Sequence, residues 1–237
     1  MNTLQGSCAF VTGAGKGIGR AITLALLKEG VNVTGISRTR TDLESLSKES
    51  GSLSGEFKAI PGDISNEHVI KESIEEAVNY FSRLDHLINN AGIGIMKPVQ
   101  EMSVEEWDLT MNINTRGAFL ATRFALPYMI RNNSGTIINI ASIARKRAFA
   151  GGAAYCASKF AMMGFSEALM FDVRKYNIRV ITICPGTVAT KFHTGEALKK
   201  DKDRVLTPED CAETVVYALK LLQSAAAHEI ELRITNP

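Results

Sequence analysis

The sequence predicts an α/β fold, a doubly wound parallel sheet with helices on both faces. Three observations carry this. Short apolar runs rich in Val and Ile recur along the chain, bounded by turn residues. Their apolar character is continuous rather than alternating, as in strands buried on both faces of a parallel sheet. Segments of 3.6-residue spacing separate them, and no Pro-, Ser- or Gly-rich linker intervenes, so residues 1–237 read as a single domain.

Taken in order, "CAFVTG" is the first strand, and the amphipathic "IGRAITLALLKEG" follows a glycine-rich turn. "VNVTGIS" is the second strand. Thr41 with Glu44 fits a capping box for the next helix. "EFKAIPGD" and "LDHLINNAG" are the third and fourth strands. Ser103 with Glu106 fits a second capping box, opening a long helix to about Arg131. "GTIINIAS" is the fifth strand, and the next helix carries "YCASK". "IRVITICPG" is the sixth strand. Thr207-Pro208-Glu209-Asp210 puts Pro at a first helical position and an acid at the third. "EIELRI" reads as a last strand.

Composition narrows the function. A hydrophobic fraction of 45% can build a sizeable core, and a net charge of +2 is too mild to suggest a nucleic-acid partner. No apolar run reaches membrane-spanning length, and the start lacks a signal-peptide pattern. Cys8, Cys156, Cys184 and Cys211 are scattered, with no C-x-x-C, and the four His do not cluster. Neither a metal site nor a disulfide framework is expected, and a cytoplasmic setting is.

In such a fold ligands bind beyond the carboxyl ends of the strands. The residues there are small or polar: Gly13 to Gly19, Ser37 and Arg38, Asp63, then Asn90, Ala91 and Gly92, then Ser142, then Pro185 and Gly186. Turn chemistry alone supplies many such residues. In "TGAGKGIGR" the G-x-G-x-x-G fingerprint fails, because Ile18 stands three residues after Gly15, and a phosphate-loop pattern fails too. Gly13, Gly17 and Gly19 remain, placed to let backbone approach a pyrophosphate at a helix N-terminus. At the end of the second strand, where an acid would bind a ribose 2′-hydroxyl, stand Ser37 and Arg38. An arginine there grips a 2′-phosphate, with Lys16 as a second cation. This favours NADP(H) over NAD. The plainer reading of Arg38 is a solvated surface charge.

Together, "TGAGKGIG", "NNAG", Asn114 in "NINTRG", Ser142 in "NIASIA", "YCASK" and "PGTVAT" resemble the short-chain dehydrogenase/reductase family, in its order and spacing over roughly residues 6 to 190. "GKGIGR" with "SRT" is similar to its NADP(H)-dependent carbonyl and 3-oxoacyl-carrier-protein reductases. The resemblance implies a catalytic tetrad of Asn114, Ser142, Tyr155 and Lys159. Asn112 competes with Asn114, but Gly117 lies three residues after the latter. It implies a cofactor turn shaped by Thr12, Gly13, Gly15, Lys16, Gly17, Ile18 and Gly19. Asp63 and Ile64 would lie beside the adenine, Asn90, Ala91 and Gly92 along the cleft, and Pro185, Gly186, Val188 and Thr190 beside the nicotinamide. Tyr155 would give a proton to the developing alkoxide; Lys159, at i+4, would supply part of a lowering of its pKa from about 10, the positive oxidised nicotinamide would supply more, and Lys159 would also hold the nicotinamide ribose. Ser142 would bond the substrate oxygen, and Asn114 would hold a water that relays protons to Lys159. Cys156 reads as a packed small residue, and Met162-Met163 as core or interface.

The expected activity is NADPH-dependent reduction of a carbonyl: a 3-oxoacyl thioester, small ketone, dicarbonyl or keto-sugar. Rivals are a non-catalytic NADP(H)-binding redox sensor and an assembly subunit. A homodimer or homotetramer is expected by resemblance, built on the helix from Ser103 and the helix bearing Tyr155. Two segments depart from the family. Lys191 to Leu206, the substrate-covering stretch, is short and charged, which suggests an open site or a mobile lid. The end, "AAAHEIELRITNP", has no glycine after Ser224, leaving its tetramer contact in doubt. Arg145, Lys146 and Arg147 would rim the site, either attracting an anionic substrate or forming a solvated loop. The positions where carrier-protein reductases dock their carrier hold Asn133 and Tyr176, with Arg131, Arg174 and Lys175 nearby, which is not a match.

Overall fold

A computed structural model describes residues 3–190, 192, 205–225 and 227–235. Seven strands form one sheet: β1 (Cys8–Thr12), β2 (Asn32–Ser37), β3 (Phe57–Pro61), β4 (His86–Asn89), β5 (Gly135–Ile140), β6 (Ile178–Pro185) and β7 (Glu229–Leu232). Every pairing is parallel, in the order β3-β2-β1-β4-β5-β6-β7. The helices are α1 (Gly17–Lys28), α2 (Arg40–Ser50), α3 (Glu67–Phe81), α4 (Val104–Met111), α5 (Gly117–Arg131), α6 (Ala153–Val173) and α7 (Pro208–Lys220).

The continuous apolar runs now have their reason. Successive strand residues point to opposite faces. Val11, Val33, Ile138, Ile181 and Ile183 pack with Ile22 and Leu26 of α1 and Val215 and Leu219 of α7. Their neighbours Phe10, Ile36, Ile137 and Val180 pack with Ile70 and Ile74 of α3, Leu120 and Met129 of α5, and Leu169 of α6. Both faces are covered, so both sets must be apolar.

Two of the three expected helix starts hold. Ser103 Oγ accepts from Glu106 N at 3.2 Å while the Glu106 carboxylate accepts from Ser103 N at 3.0 Å. Thr207 and Asp210 form the same reciprocal pair, with Pro208 at the first helical position. Each cap is worth about 1 kcal/mol. The third start differs. α2 begins at Arg40, one residue before Thr41, after an extended Thr39 that makes no side-chain cap. A long-range anchor replaces the cap: Arg20 donates to the carbonyls of Gly15 and Asp42, to Ser45 Oγ and to Glu49. The long helix from Ser103 also differs. A π turn, Asn112–Arg116, interrupts it between α4 and α5.

His86 opens β4 with both ring nitrogens buried. Burial pushes its pKa down to about 4; Asp85 opposes this, while Arg179 and Arg83 add to it. The folded value lies below the unfolded one, about 6.5. The unfolded chain therefore binds a proton that the fold refuses as pH falls from 6.5 toward 4. Stability should fall through that window by about 3 kcal/mol from this group. Urea midpoints measured between pH 7 and 4 should slope less steeply in His86→Leu. Parallel slopes would show that the acid limb belongs to other groups.

Candidate active site

The strand order reverses between β1 and β4, and a crevice opens beyond their carboxyl ends. Thr12 and Asn90 close its floor. Thr12 Oγ1 accepts from the amides of Asn90 at 3.0 Å and Ala91 at 3.1 Å, and Asn90 Nδ2 donates to the Thr12 carbonyl at 2.9 Å. Above them the turn from β1 to α1 is packed so tightly that side chains are excluded. A Cβ on Gly19 would stand 2.2 Å from the Gly13 carbonyl oxygen, and one on Gly15 would meet Asp42 and Ser37. Gly13 and Gly17 have φ of +68° and +55°, the region that favours glycine. Lys16 stands at the helix N-cap and contributes no side-chain cap, and Ile18 packs against the core.

The other expected residues stand at the same carboxyl edge of the sheet. Thr190 lies over Gly17, 3.4 Å from where a Cβ would be. Val188 is buried and bridges Leu206. Pro185 ends β6, and Gly186 N donates to the Leu232 carbonyl at 2.9 Å. Ser37 ends β2 beside Gly15, and Arg38 and Lys16 are exposed. Asp63 turns one carboxylate oxygen onto Ser65, and Ile64 is buried against Gly117.

The proposed tetrad also converges. α6 places Tyr155 and Lys159 one turn apart. Lys159 is buried, and its Nζ donates to the Ile140 carbonyl, at the end of β5, at 2.9 Å. A Cβ on Gly92 would stand 3.8 Å from that nitrogen and 3.3 Å from Asn114 Oδ1. Ser142 opens a short 3-10 turn over residues Ile143–Arg145, its Oγ accepting from Ala144 N at 3.1 Å. That leaves its hydroxyl proton for donation. Asn114 sits in the π turn. Its Nδ2 donates to the Ile93 carbonyl and Ser158 Oγ, and its Oδ1 accepts from Ile93 N at 2.7 Å. Both amide protons are spent on holding the loop after β4 against α6, so its side chain acts first as a brace.

Tyr155 departs from expectation. The chain's own groups raise its pKa: burial comes first, only partly opposed by Ser142. Lys159 is not what governs it. Burial pushes Lys159 itself down to about 8, and its ammonium, 5.8 Å from the Tyr155 ring centre, is spent on a carbonyl. Spacing supplied the neighbour but not the burial, which acts on both groups.

Two cations of the "RKR" run are also corrected. Arg145 is buried and paired with Glu229 and Glu231, and Lys146 donates to Glu229 at 3.2 Å. They are neutralised at the far side of the Ser142 turn and lend little field to a substrate. Residues 191 and 193–204, most of the substrate-covering stretch, lie outside the described residues. Phe192 is described, and its ring packs 5.5 Å from that of Tyr155. Sequence reasoning missed this contact, and also the buried network in which Asn89 donates to Asn139 and Thr122, and Asn139 to Ser166. These four lie on four different elements, and no local pattern joins them.

Residues 7–201 match the model of the short chain dehydrogenase family. The chain belongs to that family. This short-chain dehydrogenase is 31% identical over 223 residues to a 3-oxoacyl-[acyl-carrier-protein] reductase of Thermotoga maritima, covering 90% of each chain. It superposes on a metagenomic short-chain oxidoreductase in complex with NADP with a TM-score of 0.88, 30% identity and full coverage of both. An NAD+-bound xylitol dehydrogenase superposes with a TM-score of 0.91 at 26% identity, covering 98% of this chain and 99% of that one. Membership makes the protein an oxidoreductase acting on the CH–OH/C=O pair, with a nicotinamide dinucleotide. The residues present fit one: the glycine cradle over Asn90 leaves backbone bare where a pyrophosphate would lie, and Gly92 leaves room beside Lys159. Among the described residues no helix is long and apolar enough to cross a membrane.

Proposed function

We propose that this short-chain dehydrogenase is an NADPH-dependent reductase of a carbonyl, either a 3-oxoacyl thioester or a small ketone, dicarbonyl or keto-sugar. The observation that carries the reading is the convergence of half-buried Tyr155 and buried Lys159 with Ser142 at the carboxyl end of β5, beside the glycine turn. When bound, the cofactor supplies the hydride. The chain's residues do the rest. Ser142 donates a hydrogen bond to the carbonyl oxygen and holds it against Tyr155. Tyr155 gives its proton to that oxygen as negative charge develops. Lys159, protonated at neutral pH, holds the nicotinamide ribose. Pro185, Gly186, Val188 and Thr190 wall the nicotinamide side.

The preference for NADPH rests on Arg38 and Lys16, whose side chains are exposed and engage nothing else among the described residues. Phe192 against Tyr155 gives the substrate side an apolar wall. Assembly as a homodimer or homotetramer is supported by exposed Trp107 and Leu109 on α4, Phe119 on α5, and Phe160 and Phe171 on α6. NADPH oxidation across acetoacetyl thioesters, diketones and keto-sugars, with Tyr155→Phe as the blank, tests the reading. Turnover that depends on Tyr155 is expected. Tight NADPH binding with no turnover on any substrate would favour a sensor instead.

A further inference from the structure

We propose that Arg145 is a positioning residue that fixes the Ser142 turn from the C-terminal strand, through its ion pair with Glu229 and Glu231. The proposal rests on the reading of Ser142 and Tyr155 as the groups that handle the substrate oxygen.

The geometry is unusual for a loop arginine. Arg145 closes the 3-10 turn that Ser142 opens: its backbone N donates to the Ser142 carbonyl at 3.2 Å. Its side chain is 3% exposed and runs away from the site. There Nε donates to Cys184 Sγ at 3.0 Å, and Nη2 reaches Glu231 at 3.1 Å and Glu229 closer still. The strand pattern explains how two acids reach Arg145, while Lys146 lies 3.2 Å from Glu229 and Arg233 2.6 Å from Glu231 on the exposed side. In "EIEL" the period of two puts Glu229 and Glu231 on one face, while Ile230 and Leu232 pack against the core. Register sets Glu231 opposite Cys184, so the strand delivers both carboxylates to the guanidinium.

A buried charge persists only when paired. If the acids go, Arg145 must leave its position, and the turn anchored to it at the Ser142 carbonyl moves too. The same strand accepts Gly186 N through Leu232, so β7 supports both the Ser142 turn and the segment after β6. The acids stay 28% to 31% exposed, so their own desolvation is partial. The unusual C-terminal sequence is thus the partner of the unusual "RKR" run.

The test compares the wild type with Glu229→Gln/Glu231→Gln and with Arg145→Lys, which keeps the charge but not the fork. The double Gln variant should lose at least tenfold in kcat on the best carbonyl while KM for NADPH stays within twofold. Arg145→Lys should fall between it and the wild type. A second readout needs no substrate. The Ser142 hydroxyl holds Tyr155 down, so ultraviolet titration, as a difference against the matching Tyr155→Phe proteins, should show Tyr155 ionising at higher pH in the double variant. If the wild type reduces no carbonyl, the functional reading fails, and the titration still decides the clamp. An unchanged kcat, or an unchanged Tyr155 titration in variants whose melting temperature alone has dropped, would overturn the proposal and leave Arg145 a purely structural ion pair. If the double variant does not fold, Arg145→Lys with wild-type kcat and an unmoved Tyr155 would overturn it equally.

Discussion

Tyr155→Phe should lower turnover by about three orders of magnitude, while NADPH titrations stay within a few-fold of the wild type. The substitution removes one hydroxyl and keeps the ring that packs on Phe192, so the fold has no reason to change. Its size follows from the proton. With Phe, the developing alkoxide finds only the Ser142 hydroxyl, which orients it but is too weakly acidic to protonate it. The direction of the Tyr155 shift adds a check on pH. Burial raises its pKa, so the protonated form needed for reduction dominates through neutral pH. Oxidation of the alcohol needs the phenolate and should rise with pH where reduction is still flat. Rates in both directions between pH 6 and 10 measure this. Turnover retained in the Phe variant would refute the mechanism.

Arg38→Asp should weaken NADPH binding by about 100-fold and leave NADH within about threefold. The arginine ends the β2 turn with no partner among the described residues, so losing it costs the fold little. A charge-assisted pair with a phosphate contributes roughly 1.5–3 kcal/mol, and the new carboxylate adds repulsion of the 2′-phosphate. NADH has a hydroxyl there, which Asp can accept from. Fluorescence titrations with the two cofactors decide it: equal losses would make Arg38 a plain surface charge.

The parts of this molecule legible in its sequence are those whose cause is local. The inner strands showed because burial on both faces demands apolar residues on both. The glycine turn showed because a Cβ at Gly13, Gly15 or Gly19 would clash and because Gly13 and Gly17 have positive φ. Capping at Ser103 and Thr207 showed because a reciprocal pair three residues apart is its own signature. What stayed hidden depends on partners far along the chain. Arg145 looked like a solvated loop cation because its acids lie 84 and 86 residues away. Thr41 looked like a cap because Arg20, which anchors that helix, belongs to another element. The burial that raises the Tyr155 pKa was hidden because spacing reports a neighbour and burial belongs to the whole fold.

The π turn at Asn112–Arg116 does more than aim Asn114. An extra residue in a turn shifts everything after it by roughly 100° around the axis. Before the shift, α4 has one buried residue, Thr110, and turns Val104, Trp107 and Leu109 outward. After it, α5 lays Leu120, Ala121, Ala125 and Met129 on the sheet. One nearly continuous rod thus changes its allegiance midway, from the world outside to the core within. The count of residues in that turn is itself information. Removing one would leave every side chain in place along the chain and point half of them the wrong way.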